Sequence, residues 1–389
     1  MATENLNILF IIPSYKPAYV YGGPIRSVSA LCEALVEVGH NVNVFTTTAN
    51  GETELDVIPG NEYNIDGVNV TYFKRQTKDH SNLSAGLFQK VLGNCQRFDI
   101  IHIQSWWNFV AVFSVIACKL KSVQPLISPR GSLIPYTFGY RNVFLKKWLH
   151  KLIGKRLLEN SILHFTSNKE KEDADKYLNK ERSFIIPNIL SLPDRIYGKK
   201  QDGCLRLVFV GRIDPKKNLE LVLKALKSRG NYNRISLDII GDGDKNYVNK
   251  LKQFSGEMTN VTWRGMLDGE LKFKLLSESD LLVLLSHNEN YGNVVLEALC
   301  QGTPVIISKY VGAGEYVKKN KLGWVIDLSE SEFVETLNGI LSQDSELKEM
   351  QHRAEDCIKR DFERGRQVLE YEKMYFEIRN THIKHDKKK

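Results

Sequence analysis

Residues 281–308 read LLVLLSHNENYGNVVLEALCQGTPVIIS, and this stretch decides the fold. The apolar run Leu281–Leu285 is far too short to cross a membrane and suits a strand buried on both faces. A turn around Gly292 leads into the helical pattern Asn293–Cys300, and Gly302-Thr303 leads out of it into a second short run, Pro304–Ser308. Strand, helix and strand at this spacing form a crossover unit whose two strands lie parallel in one sheet.

The same alternation extends toward the N-terminus. Strands Leu205–Val210, Ser236–Ile240 and Val261–Arg264 are separated by the helical patterns Asn218–Lys227, Lys245–Phe254 and Gly269–Ser277. An earlier series contains the strands Ile8–Ile12, Val42–Thr46, Val68–Phe73, Ile100–Ile103, Leu126–Ser128 and Leu163–Thr166, with a helix over Ile25–Val38 closed by Gly39. Between the series, Ile185–Pro187 and Leu192–Gly203 break the rhythm with Pro, Gly and charge. The pattern predicts an α/β protein of two Rossmann-like doubly wound domains facing across a cleft. Residues 1–190 form the first, 191–204 the linker and 205–365 the second; a C-terminal helix and basic tail, 366–389, is free to pack back on the first.

Composition narrows the function classes. The 389 residues are 42% hydrophobic and 26% charged, enough for two soluble cores. The formal charge of +8 suits an anionic ligand or an acidic membrane surface, and no motif points to nucleic acid. The 6 cysteines include no Cys-x-x-Cys spacing, which favours buried reduced thiols over disulfides or zinc. The N-terminus has no basic stretch before its first apolar run, which Pro13 ends, so no secretory leader is expected. The longest strongly apolar run, around Phe109–Cys118, falls short of the ~20 residues of a spanning helix. A cytoplasmic protein is expected, with the inner face of the cell membrane as a second place of work.

Two segments carry chemistry. In Ser286–Leu299 a buried strand ends, Gly292 turns the chain and a helix opens. The first amides of a helix lack internal partners and stand at its positive end, which suits a phosphate. Glu289 and Glu297 flank that point as acceptors for sugar or ribose hydroxyls. A capped helix with two solvated glutamates is the plainer alternative. The other segment, Gly211-Arg212-Ile213-Asp214-Pro215-Lys216-Lys217-Asn218, directly follows a strand. There the Arg212 fork and the Lys217 point charge can neutralise a departing diphosphate.

Together with Gly241-Asp242-Gly243 and Gly302-Thr303-Pro304-Val305-Ile306, these segments resemble the retaining glycosyltransferase family 4, which has the GT-B fold. Glu289 and Glu297 match its Glu-x7-Glu spacing, and Arg212 and Lys217 match its strand–Gly-Arg–Lys element. The resemblance is dense over residues 205–325 and thinner before them. It implies that Arg212 and Lys217 bind the donor diphosphate beside Gly241, Tyr291, Gly292 and the amides of Asn293 and Val294. Glu297 would then hold the nucleotide ribose, Glu289 the donor sugar, and Arg264 would lie near the base. Gly22 and Gly23 of Tyr21-Gly22-Gly23-Pro24 would face the diphosphate and acceptor. The family often has a histidine after the strand at Leu126–Ser128; here Arg130 follows and is assigned to phosphate or acceptor. His102 takes the place of acid–base or acceptor candidate, with a structural hydrogen-bonder at a strand end as the plainer alternative. Implied overall is hexosyl transfer from a UDP- or GDP-sugar to a glycan or lipid-linked acceptor in bacterial surface polysaccharide assembly, with no cofactor and no metal.

Other features remain open. Trp106-Trp107 can stack on a sugar, dip into lipid or plug the domain. Residues 141–160 set Phe144, Leu145, Trp148 and Leu149 against Lys146, Lys147, Lys151 and Arg156, a basic amphipathic helix suited to anionic lipid or to packing on the sheet. Asp173-Ala174-Asp175 and Asp242-Gly243-Asp244 have the form of metal-chelating pairs, in a polar helical stretch and a glycine turn. Two rival functions stand beside transfer: a glycoside hydrolase using Glu289 and Glu297 as acid and nucleophile, and a non-catalytic carbohydrate-binding protein.

Overall fold

The computed structural model describes residues 4–79, 81–134, 154–178, 183–197, 203–228, 234–342 and 344–386. The chain divides into two units, Met1–Ser191 with Arg364–Lys389, and Leu192–Glu363. The segment from Leu192 onward thus groups with the second unit, and the C-terminal helix with the first.

The first unit runs β1 (Asn7–Ile11), α1 (Gly23–Glu37), β2 (Asn41–Thr47), a small hairpin of β3 (Ala49–Asn50) and β4 (Thr53–Glu54), β5 (Glu62–Ile65), β6 (Val68–Phe73), α2 (Ala85–Asn94), β7 (Ile100–Gln104), α3 (Phe109–Leu120), β8 (Leu126–Ser128), α4 (Lys155–Glu159), β9 (Ile162–Phe165), α5 (Asn168–Asp175) and β10 (Ser183–Ile185). Its sheet has the order β10-β9-β8-β7-β1-β2-β6-β5, parallel throughout except for β5. The second runs β11 (Leu205–Val210), α6 (Leu219–Ser228), β12 (Ile235–Ile240), α7 (Lys245–Phe254), β13 (Val261–Gly265), α8 (Gly269–Glu278), β14 (Leu281–Leu284), α9 (Asn293–Cys300), β15 (Val305–Ser308), α10 (Gly314–Asn320), β16 (Gly323–Ile326), α11 (Glu330–Ser342) and α12 (Asp344–Asp361). Its order is β13-β12-β11-β14-β15-β16, wholly parallel.

Both units are therefore Rossmann-like. The chain winds outward from a central strand, returns, and winds outward on the other side, so β1 lies beside β7 and β11 beside β14. At each such junction the connections leave to opposite faces and open a crevice at the carboxyl ends of the strands. Central strands are buried on both faces because helices cover both: β11 and β12 each leave only their second residue half-buried. The long α13 (Arg364–Asp386) buries Val368, Tyr371, Met374, Tyr375 and Ile378, one stripe at helical spacing, in the core that also holds Ile8 and Phe10.

The strands that the sequence pattern misses are edge strands. β5 alternates exposed and half-buried residues, β10 has no buried residue, and β16 opens on Gly323 with one buried residue, Ile326. An edge faces a neighbour on one side only, so it needs no continuous apolar run. Trp106 is 1% exposed and plugs the core, while Trp107 donates to the Ser132 carbonyl at 2.8 Å. All six cysteines are free thiols. Among the described residues no helix is long and apolar enough to cross a membrane.

Candidate active site in the second domain

β11 and β14 are neighbours, so the loops after them leave the sheet from one place. The loop after β11 makes one 3-10 turn, Pro215–Lys217, begun by the fixed φ of Pro215 and ended by Asn218 in left-handed backbone. This turn brings the Lys217 ammonium to Glu289 of the loop after β14, Nζ to Oε1 at 2.6 Å, with the two side chains 15% and 16% exposed. The His287 amide donates to the Lys216 carbonyl at 2.8 Å and ties the loops together. Burial draws the Lys216 ammonium below its ordinary range, and the Glu289 carboxylate works against it. Arg212 is more open: 69% exposed, its Nε 2.8 Å from Asp214.

Glu289 itself is fixed by its backbone. Its amide donates to Tyr310 at 3.0 Å and its carbonyl accepts from Gly312 at 3.1 Å. Gly292 then takes φ 87°, where a Cβ would also press within 2.8 Å of Val311, and α9 begins with no side-chain cap. Its positive dipole end stands one loop away from Lys217. Around this corner Ser286 Oγ, Asn288 Oδ1 and Asp214 Oδ1 are buried without a hydrogen-bond partner among the described residues. Buried polar atoms of that kind mark places where a ligand or water completes the bonding.

Gly241 shapes the floor. A Cβ there would lie 1.9 Å from the Gly211 carbonyl oxygen, so only glycine lets the loops after β11 and β12 touch. They continue to pair beyond the strands, Ile213 N to Asp242 O at 2.8 Å. Arg264 turns back to Asp238, Nε to Oδ1 at 2.6 Å, with its side chain 42% exposed. Glu297, one turn into α9, meets Lys272 of α8 at 3.0 Å. Sequence reasoning missed Lys272. The available signal was a lysine four residues before Leu276 on the helix face that becomes buried.

The remaining candidates lie in the first domain. Gly22 caps α1 at φ 74°, ahead of Gly23 and Pro24. Arg130 sits at φ 50° and commits Nε to Gln104 at 2.6 Å and Nη1 to Ser27 at 3.1 Å and Asn188 at 2.8 Å. His102 is 0% exposed, and a hydrogen-bond chain fixes its tautomer. The His164 Nε2–H donates to the Ile186 carbonyl at 2.9 Å, so Nδ1 accepts from Ser128 Oγ at 2.6 Å. Ser128 Oγ in turn accepts from His102 Nε2 at 2.6 Å, and His102 Nδ1 accepts from Tyr375 at 2.9 Å. Burial, helped by His164 and Arg130, holds the His102 imidazole neutral. With both nitrogens bonded inside the core, His102 has neither an open nitrogen nor access for an acceptor. The acid–base role expected of it does not fit; it is a core histidine.

The acidic pairs have structural duties. Asp173 lies between Lys169 and Lys176, each at 2.7 Å, and Asp244 caps α7 through the Tyr247 amide at 2.9 Å. The basic stretch 141–160 falls mainly outside the described residues. Its described end forms α4, where Leu157 and Leu158 are buried.

Two family models match the chain: Glycosyltransferase Family 4 over residues 21–192 and Glycosyl transferases group 1 over residues 195–357. An uncharacterized glycosyltransferase of Methanocaldococcus jannaschii is 27% identical over 344 residues, covering 82% of this chain and 85% of its own. Among solved structures, the sucrose-phosphate synthase of Thermosynechococcus elongatus superposes with a TM-score of 0.74 at 18% identity, over 95% of this chain and 98% of its own. The Anabaena protein HepE in complex with UDP-glucose superposes with a TM-score of 0.70 at 18% identity, over 94% and 99%. Matched in both halves by glycosyltransferase models and built of two Rossmann-like domains, the chain is a glycosyltransferase of the GT-B, family-4-like type.

Proposed function

We propose that this glycosyltransferase moves a sugar from a nucleoside diphosphate sugar to an acceptor hydroxyl, with retention at the anomeric carbon. One observation carries the reading: Lys217, Glu289 and the uncapped start of α9 converge where β11 meets β14. A diphosphate placed there faces an ammonium, the exposed Arg212 and a helix dipole, which together stabilise charge as it develops on the leaving group. No divalent ion is invoked for that task.

The Lys217–Glu289 pair gives the site a way to respond to its ligand. A bound diphosphate competes for Lys217 and releases Glu289 to accept hydrogen bonds from hydroxyls of the donor sugar. Glu297 does the same for the ribose. The bond from the anomeric carbon to the phosphate oxygen breaks, and the acceptor oxygen bonds to the same face. The acceptor proton passes to the departing diphosphate, while Glu289 is engaged by hydroxyls of the donor sugar. The donor is a UDP- or GDP-sugar, a reading supported by the UDP-glucose complex of a protein with the same fold. The acceptor is a glycan or lipid-linked glycan of a cell-surface polysaccharide. A hydrolase reading leaves Lys217, Lys272 and the helix terminus without a task.

Transfer of labelled sugar from a panel of UDP- and GDP-sugars tests the assignment. Lys217→Ala and Glu289→Ala should each lower turnover by about 100-fold or more, the scale of losing one preorganised charge-stabilising group. Both should stay folded, with a lowered midpoint because each leaves one charge of a largely buried pair without its partner. Wild-type turnover in either variant removes the active-site assignment.

A further inference from the structure

Lys272 is a buried lysine with one carboxylate partner among the described residues. Its side chain is 8% exposed, and Nζ stands 3.0 Å from Glu297 Oε1, whose own side chain is 14% exposed. The ammonium also lies 4.7 Å from the Phe273 ring centroid. Among the described residues Glu297 has no other side-chain hydrogen bond or ion-pair partner. An ion pair shut between two helices is poor packing: well-fitted apolar side chains hold such a contact at least as well. What the pair does provide is direction. Glu297 has one oxygen held by a cation that is itself locked in the α8 face, and it keeps acceptor capacity for hydroxyl donors.

We propose that Lys272 is the positioning residue that aims the Glu297 carboxylate at a vicinal pair of ribose hydroxyls, and so makes the site select ribonucleotides over deoxyribonucleotides. This rests on the nucleotide reading given above. Lys272 touches no ligand in this scheme and acts through Glu297. Without the ammonium the carboxylate keeps its place on α9 but swings among rotamers, so the hydrogen bonds to the diol lose their geometry while the diphosphate contacts remain.

Calorimetric titration of the full chain with UDP and GDP, each beside its 2′-deoxy counterpart, tests the inference. The wild type should bind the ribo form of its preferred nucleotide about 10- to 100-fold more tightly, the range spanned by a hydrogen bond to a charged group. Glu297→Ala should reduce that ratio to about threefold or less, and Lys272→Met should do the same while inorganic pyrophosphate binds as in the wild type. Lys272→Arg, which restores a cation, should recover most of the ratio; a purely structural role for Lys272 would not move it. Where Lys272→Met does not fold, the Lys272→Met/Glu297→Ala double variant removes both charges, and its ratio should equal that of Glu297→Ala alone. A wild-type ratio in Lys272→Met, or a double variant unlike Glu297→Ala, overturns the inference and leaves the nucleotide site standing. A wild type that binds neither nucleotide overturns the functional reading and this inference with it.

Discussion

The two domains offer the same crevice and fill it differently. In the second, β11 and β14 part beneath Lys217 and Glu289, which hold one another through a 2.6 Å contact. Beside them Arg212 is 69% exposed. In the first, β1 and β7 part beneath Arg130, whose Nε and Nη1 are committed to Gln104, Ser27 and Asn188. Behind Arg130 runs the chain Tyr375, His102, Ser128 and His164, entirely within the core. Topology supplies a place for a ligand twice over. Whether charge there can answer a ligand depends on how many protein acceptors already hold it.

That contrast breaks most sharply at Arg130. Burial lowers its guanidinium below the ordinary range, and the buried Glu170 carboxylate is among the groups that offset this. Arg130→Met leaves Glu170 without that countercharge and leaves Gln104, Asn188 and Ser27 short of a donor. Loss of about 3 kcal/mol from the unfolding transition of the first domain is expected, about 1 kcal/mol for each of the three hydrogen bonds lost. Arg212→Ala, by comparison, should change stability by less than about 1 kcal/mol, as exposed pairs do. Urea unfolding followed by domain-specific probes measures both. An Arg130→Met protein as stable as the wild type would erase the distinction between the two crevices.

How much of this was legible in the sequence follows the range of the interactions. The strands Leu205–Val210, Val68–Phe73 and Leu126–Ser128 and the helices Lys245–Phe254 and Asn293–Cys300 coincide with the sequence reading, because apolar runs and their breakers are local signals. Lys217 and Glu289 were readable for the same reason: each sits just after a strand, and the sheet order brings the strand ends together. His102 was misread because its partner Tyr375 lies 273 residues away on a helix whose docking no local pattern reveals. Lys272 was overlooked because a lysine in a helix normally belongs to the solvated face.

A smaller cut sharpens the comparison further. Ser128 is the middle of the buried chain: it accepts from His102 and donates to His164, both at 2.6 Å. Ser128→Ala leaves one ring N–H and one ring nitrogen unpaired in the core, at a cost of about 1–3 kcal/mol. The nucleotide affinity of the second domain should not change. If Ser128→Ala instead weakened nucleotide binding and left stability untouched, the chain would belong to the working site and not to the core.

A pH response confined to the first domain is a further expected effect. Burial pushes His164 down to about 3 and His102 well below the ordinary 6.5. The native state therefore takes up no proton at these rings near neutrality, while the unfolded chain begins to do so at about 6.5. Protons that bind only the unfolded state favour unfolding. The stabilisation from keeping the rings neutral is complete above the unfolded value and shrinks as pH falls through it, toward the low native values. Between pH 7.5 and 6.0 the two rings together should reduce stability by about 1.5 kcal/mol. The second domain buries no histidine among its described residues, so its transition should not share that component. A His102→Gln/His164→Gln variant isolates the two rings from His40, which pairs with Glu372 at 3.0 Å, and should show a shallower pH slope than the wild type. Equal slopes in the two proteins would mean that these rings already carry protons in the native state, and the hydrogen-bond directions assigned to the chain would have to be reversed.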